Sequence, residues 1–144
     1  MGDGMKEYEI KRVYMGKIPY GEDLLGFLNA LVLEKGIELA IIKILGGLKK
    51  ITLGYYNQEK KEFVKIEDNA GVEIVSCYGN VTRKDGKPHV HLHLIASKSD
   101  GTCIGGHVLE GCEVFAVEFF LFELFGDLVE RKYDELTGLY LWDV

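Results

Sequence analysis

No stretch of this sequence stays apolar for the ~18 consecutive residues that a membrane-crossing helix needs, so no such helix is expected. The opening residues, Met1-Gly2-Asp3-Gly4-Met5-Lys6, lack the basic-then-apolar layout of a secretion signal. The Ser or Thr of a myristoylation signal is also missing after Gly2. These absences give the expectation of a soluble, cytoplasmic protein with no membrane partner. Arginine is scarce: Arg12, Arg83 and Arg131 stand far apart, and the net charge is −6. Duplex binding draws most of its affinity from clustered Lys and Arg that neutralise phosphates, so the charge balance argues against nucleic acid. Cys77, Cys103 and Cys112 are odd in number and show no C-x-x-C spacing. That pattern argues against a disulfide framework and reads more simply as free, buried thiols in a reducing compartment.

Linkers, low-complexity tracts and clear internal repeats are missing too. The 144 residues are 47% hydrophobic and 28% charged, the balance of an ordinary globular chain and not of a disordered one. The expectation is one domain over residues 1–144, with its core from about residue 8 onward.

What is present reads mostly as strand. Glu7 to Met15 is a first strand. Tyr20 to Glu34 is an amphipathic helix, with Leu24, Phe27, Leu28, Leu31 and Val32 at helical spacing and Gly36 as a left-handed cap. Glu38 to Leu45 reads as a buried strand bounded by Gly46-Gly47, and Leu48 to Asn57 as the next one. Glu62 to Ile66 and Gly71 to Val81 follow, the latter closed by Gly79, and Asp85-Gly86 makes a tight turn. Gly111 to Phe125 is rich in Val and Phe, which favours strand over helix. Asp134 to Val144 reads as a short edge segment. The predicted fold class is α+β: a mainly antiparallel sheet of about seven or more strands with one main helix packed on it.

All four histidines fall between His89 and His107. Side chains on a strand alternate faces, so His89, His91 and His93 share one face while Val90, Leu92 and Leu94 take the other. Ser99-Asp100-Gly101 suits a three-residue hairpin loop with Gly in its last, left-handed position. That loop pairs Lys98 with Thr102 and sets His93 opposite His107, with Cβ atoms ~5 Å apart and His91 on the diagonal. A two-residue Asp100-Gly101 turn would put His107 on the other face, and a bulge at Gly105-Gly106 would do the same.

Three neutral imidazoles suit Zn²⁺, with Fe, Ni or Co as alternatives, and leave a coordination position open. The predicted metal ligands are His91, His93 and His107, with His89 in reserve. The competing reading makes the histidines the solvent-facing half of an amphipathic strand, or hydrogen-bonding groups at a subunit interface. Glu110, Glu113 and Glu118 are candidate supporting carboxylates or proton carriers, against the plainer reading of solvated or paired acids. Cys103 and Cys112 are candidate thiolates, against simple packing. No catalytic residue is assigned.

At His91-Leu92-His93, Ser99-Asp100-Gly101 and Gly105-Gly106-His107-Val108-Leu109-Glu110-Gly111, the sequence resembles the PPC (plants and prokaryotes conserved) domain family. That family's hallmark is an H-x-H strand, a D-G turn and a G-G-H-hydrophobic-x-x-G stretch. Gly36-Ile37 through Gly46-Gly47-Leu48, and Gly71-Val72-Glu73-Ile74-Val75-Ser76-Cys77-Tyr78-Gly79, are similar to two further segments. The likeness runs from about Tyr8 to the C-terminus. It implies a β-rich fold with a helix on the sheet, assembled as a homotrimer. It also implies histidines of the prokaryotic pattern at His91, His93 and His107. Plant members carry AT-hook DNA-binding motifs, and stand-alone prokaryotic members are often labelled DNA-binding. This chain has no R-G-R-P core, so the AT-hook is not carried over. The fold also resembles that of zinc-dependent acetolactate decarboxylases, a likeness that does not transfer activity.

Three functional expectations follow. One is a homotrimeric metal-binding protein, its role assembly, small-molecule sensing or an unassigned reaction. Another is a DNA-associated regulatory or architectural protein. The last is a metal-dependent lyase or hydrolase acting on a small carboxylate or ester.

Overall fold

A computed structural model describes residues 4–144. β1 (Glu9–Ile18) is followed by α1 (Leu24–Lys35) and an 18-residue strand, β2 (Ala40–Asn57). Then come β3 (Glu62–Asp68), β4 (Val72–Lys84), β5 (Lys87–Ser97), β6 (Cys103–Val108) and β7 (Glu113–Phe125). A small hairpin of β8 (Arg131–Asp134) and β9 (Leu139–Trp142) ends the chain. The main sheet has seven strands in the order β1-β7-β2-β4-β5-β6, with β3 paired to the far half of β2. Its pairings are antiparallel. This is the expected α+β architecture, with one helix among the described residues.

The helix starts later than its apolar spacing suggested. Asp23 caps it, its Oδ2 accepting from the Gly26 amide at 2.8 Å. The other oxygen, Oδ1, accepts from the Gly111 amide at 2.7 Å, so one carboxylate ties the helix to the approach to β7. Gly36 ends the helix at φ 67°, the left-handed cap that its position predicted. Leu24, Leu28 and Val32 form the inner stripe of the helix, buried in the same core cluster as Ile42, Leu53, Leu92 and Leu121.

Gly46-Gly47 does not separate two strands, contrary to the sequence reading. β2 runs straight through, and the glycines mark bulges where its register slips against β4 and β7. Gly46 sits at φ 137°, and a Cβ there would collide with the Ala116 carbonyl, so only glycine lets β2 and β7 approach. β4 likewise continues past Gly79 to Lys84, and the tight turn follows with Asp85 at φ 53° and Gly86 at φ 74°.

Beyond its bulge β2 bends round to meet β6, pairing Leu53 with Val108 and Gly54 with His107. The path β2-β4-β5-β6 thus returns to β2. The C-terminal segment is not a sheet edge, as expected from sequence, but a separate ribbon laid beside this closure. Tyr56 donates from its hydroxyl to the Thr137 carbonyl at 2.6 Å, and Lys61 Nζ donates to the Glu135 carbonyl at 3.0 Å. Arg83 pairs with both Glu38 and Glu130, tying the start of the ribbon to β4.

Candidate metal centre

The hairpin between β5 and β6 carries the chemistry, and its loop has the anticipated form. The Lys98 amide donates to the Thr102 carbonyl at 2.8 Å, the Gly101 amide to the Lys98 carbonyl at 2.9 Å, and Gly101 lies at φ 83°. Asp100 Oδ1 accepts from the Thr102 hydroxyl at 2.6 Å and from its amide at 3.0 Å, which locks the loop. From this loop the pairing runs without a slip through Ser97–Cys103 to His93–His107. Gly105 and Gly106 therefore do not form a bulge between these strands. Gly106 answers a different need: a Cβ there would stand 2.8 Å from the Gly54 carbonyl, where β6 closes on β2.

The result is a triangle of imidazoles. Ring centroids of His91, His93 and His107 lie 5.0, 5.0 and 5.5 Å apart, and one candidate ligand nitrogen from each falls within 4.8 Å of the others. Nε2 of His91 and Nε2 of His93 are 3.2 Å apart. Tetrahedral Zn²⁺ with ~2.0–2.1 Å bonds holds neighbouring nitrogens ~3.3 Å apart, so this edge already has the right length. His107 is backed by Phe63, ring to ring at 5.3 Å.

Burial drives the imidazolium form out of two of these rings. The His91 pKa falls to about 3, first through burial and then through the nearby charges of His107 and Arg131. His107 falls to about 4, again through burial and then through His93. His89 is also lowered, by burial and by Lys84. Neutral rings with free lone pairs at ordinary pH are what a metal requires.

One neighbour does not fit the usual pattern. The outer nitrogen of a metal-bound histidine commonly donates to a carbonyl or carboxylate. Here Nδ1 of His91 faces a donor instead, Nη2 of Arg131 at 3.3 Å. Arg131 further donates to Thr82 Oγ1 at 3.1 Å, Asn80 Oδ1 at 3.0 Å and the Tyr140 carbonyl at 3.1 Å. The donor set and spacing otherwise fit a borderline-soft divalent cation.

Above the histidines opens a cavity of about 630 Å³. Its floor is His89, His91, His93 and His107, its walls include Tyr55, Phe63, Lys84 and Arg131, and the ribbon contributes Leu139, Tyr140 and Leu141. Sequence reasoning missed Arg131, Lys84 and Tyr140. Arg131 and Tyr140 lie far from the hairpin in the chain, Lys84 sits at the turn into β5, and none belongs to a motif.

The proposed supporting carboxylates are elsewhere. Glu113 binds Lys49 at 2.8 Å. Glu118 is exposed opposite Lys17 and Leu45, and Glu110 is exposed; none lines the cavity. The cysteines also depart in part from expectation. Cys77 and Cys112 are buried, with thiols pushed up by burial to about 12 and about 11, but Cys103 is exposed. Cys103 pairs with Ser97, four residues before His107 on β6 and outside the triangle. No helix among the described residues is long and apolar enough to cross a membrane.

Fold and cavity define an antiparallel α+β protein with histidines clustered where its sheet closes on itself. Comparison with known proteins narrows this class. The model of the Plants and Prokaryotes Conserved (PCC) domain, also written PPC, matches residues 5–125, and the chain belongs to that family. A metal-containing protein of Archaeoglobus fulgidus is 44% identical, with a TM-score of 0.90 over 96% of this chain and 99% of that one. A plant- and prokaryote-conserved protein of Pyrococcus horikoshii is 41% identical, with a TM-score of 0.92 over 100% of this chain and 98% of its own. A Bacteroides thetaiotaomicron protein provisionally called DNA-binding is 27% identical, with a TM-score of 0.85 over 94% of this chain and 96% of its own. No curated protein sequence matches the chain.

Proposed function

We propose that this PCC-domain protein holds one divalent cation, Zn²⁺ by preference, on His91, His93 and His107, with a remaining coordination position facing the cavity. The observation that carries the reading is the convergence of three ligand nitrogens within 4.8 Å on one face of a hairpin. Three protein ligands are the number found in zinc sites that keep a place for water or a small molecule. The name of the Archaeoglobus relative, metal-containing, supports it at 44% identity. The test is elemental analysis of protein purified without a histidine tag: about one metal per chain, lost in His107→Ala, upholds the reading. A metal-free preparation that gains none on dialysis against Zn²⁺ defeats it.

The same reading includes association of copies of the chain, three by the family resemblance. Its support is the sheet face opposite α1, where Val13, Met15, Ile41, Leu45, Val75 and Tyr78 are exposed together. Exposed apolar side chains gathered on one sheet face, here around Lys43, favour association. Light scattering of the eluting protein gives the copy number directly.

The DNA-binding name of the Bacteroides relative receives no support from this chain's charge, which is −6 overall.

A further inference from the structure

The cavity over the histidines has an unusual charge balance. The chain carries 23 acidic and 17 basic side chains, yet no Asp or Glu lines this cavity, whereas Lys84 and Arg131 both do. Neither cation has a carboxylate partner among the described residues. Lys84 Nζ rests over the Tyr140 ring at 4.1 Å, and Arg131 spends its donors on Thr82, Asn80, His91 and a carbonyl. Four of the five guanidinium N–H groups are committed, and one remains. Asp85, on the β4–β5 turn, acts on His89 but stands outside the lining. Three neutral imidazoles do nothing to offset the charge of a bound divalent ion. The filled site would therefore hold two fixed cations and a metal with no anion of the protein's own.

Such a site is completed by an anionic ligand. The opposite wall decides the rest of its chemistry, because Phe63, Leu139 and Leu141 offer apolar surface that a bare inorganic anion cannot use. The volume of about 630 Å³ falls in the range of small-molecule sites. Arg131, Leu139, Tyr140 and Leu141 lie beyond residue 125, where the family match ends, so the C-terminal share of the lining belongs to a part of the chain the match does not reach.

We infer that the cavity takes a small organic carboxylate with an apolar body, its charged end beside Lys84 and Arg131 over the histidine triangle and its body against the Phe63–Leu141 wall. The inference deepens the metal reading and rests on it for the strongest of the positive charges. Two measurements keep the two ideas apart. Elemental analysis reports on the metal. Titration calorimetry with benzoate, benzamide and inorganic phosphate reports on the ligand, using the metal-loaded and the metal-free full-length protein.

Benzoate should bind the metal-loaded protein saturably, and its uncharged isostere benzamide should bind at least about tenfold more weakly. Lys84→Met should weaken benzoate by about fivefold while leaving the metal content unchanged. In Co²⁺-loaded protein the visible absorption should shift as benzoate saturates. Absence of benzoate binding to protein carrying one metal per chain overturns the inference and leaves the metal reading standing. Equal affinity for benzamide, or tighter binding of phosphate than of benzoate, overturns it as well. If no metal is found, benzoate binding that weakens in Lys84→Met upholds the carboxylate site alone, and lack of such binding ends both ideas.

Discussion

Nη2 of Arg131 lies 3.3 Å from Nδ1 of His91, and the guanidinium must be the donor. A neutral His91 that accepts at Nδ1 carries its proton on Nε2, the nitrogen that points at His93 Nε2. Binding a metal through Nε2 moves that proton to Nδ1 and sets two donors against each other. Arg131 therefore opposes metal binding by His91.

Arg131→Gln should tighten metal binding, because the shorter side chain removes the donor that faces Nδ1 and leaves room for a water to accept its proton. The expected gain is about threefold to tenfold, read by competition with a chelator. Thermal stability should fall in the same variant, since three further hydrogen bonds to β4 and the ribbon are lost. A looser metal in Arg131→Gln would count against this account.

His107→Ala should remove the metal, and His89→Ala should leave it in place. His89 is half-buried on the cavity floor but lies outside the triangle of ligand nitrogens. Metal content of the two purified variants is the readout. Retention in His107→Ala together with loss in His89→Ala would reassign the ligand set.

Acid should destabilise the metal-free protein partly through these rings. In the folded state His91 titrates at about 3 and His107 at about 4, against an ordinary 6.5. Between those values the unfolded chain binds more protons than the folded one, so stability rises with pH across the window. The contribution is complete above about pH 6.5 and is lost as pH falls towards 4 and then 3. Urea midpoints measured between pH 7 and pH 4.5 should fall less steeply in the His91→Gln, His107→Gln double variant than in the parent. Equal slopes would mean that the rings are not held neutral by the fold.

Gly106→Ala should disturb the site without touching a ligand. The added methyl group meets the Gly54 carbonyl, a backbone atom that cannot swing away, so β6 must move from β2. A loss of about 1–3 kcal/mol is expected from denaturant unfolding, with weakened metal binding as His107 shifts. Stability and metal affinity equal to the parent's would show that this closure does not hold His107.

Salt-sensitive DNA binding should be absent. Gel shifts on random duplex at two salt concentrations check this, because phosphate neutralisation makes affinity fall steeply with salt. A shifted band at low salt that vanishes at high salt would restore the DNA reading.

The histidine geometry was legible because it depends on local rules. Strand alternation put His91 and His93 on one face, and the Ser99-Asp100-Gly101 loop fixed how many residues separate His93 from its partner. β2 was less legible. Gly46-Gly47 carries the same letters as a chain break, and only the proximity of Ala116, 70 positions away, makes it a bulge within one strand. The cavity walls were not legible at all. Arg131 and Tyr140 reach Lys84 and the histidines only through contacts between distant segments, and neither has a sequence neighbour that announces its role.

The β8–β9 ribbon is joined to the rest of the fold chiefly by side-chain bonds from Arg131, Tyr56, Lys61 and Arg83. Two strands alone are marginal in water, and such units detach at a lower free-energy cost than the whole molecule unfolds. Amide protons of residues 131–142 should therefore exchange with heavy water well before those of residues 40–48, as mass spectrometry of peptides would record. Opening of this twelve-residue ribbon would uncover the side of the chamber that Leu139, Tyr140 and Leu141 line, while β5 and β6 keep the imidazoles paired across the hairpin.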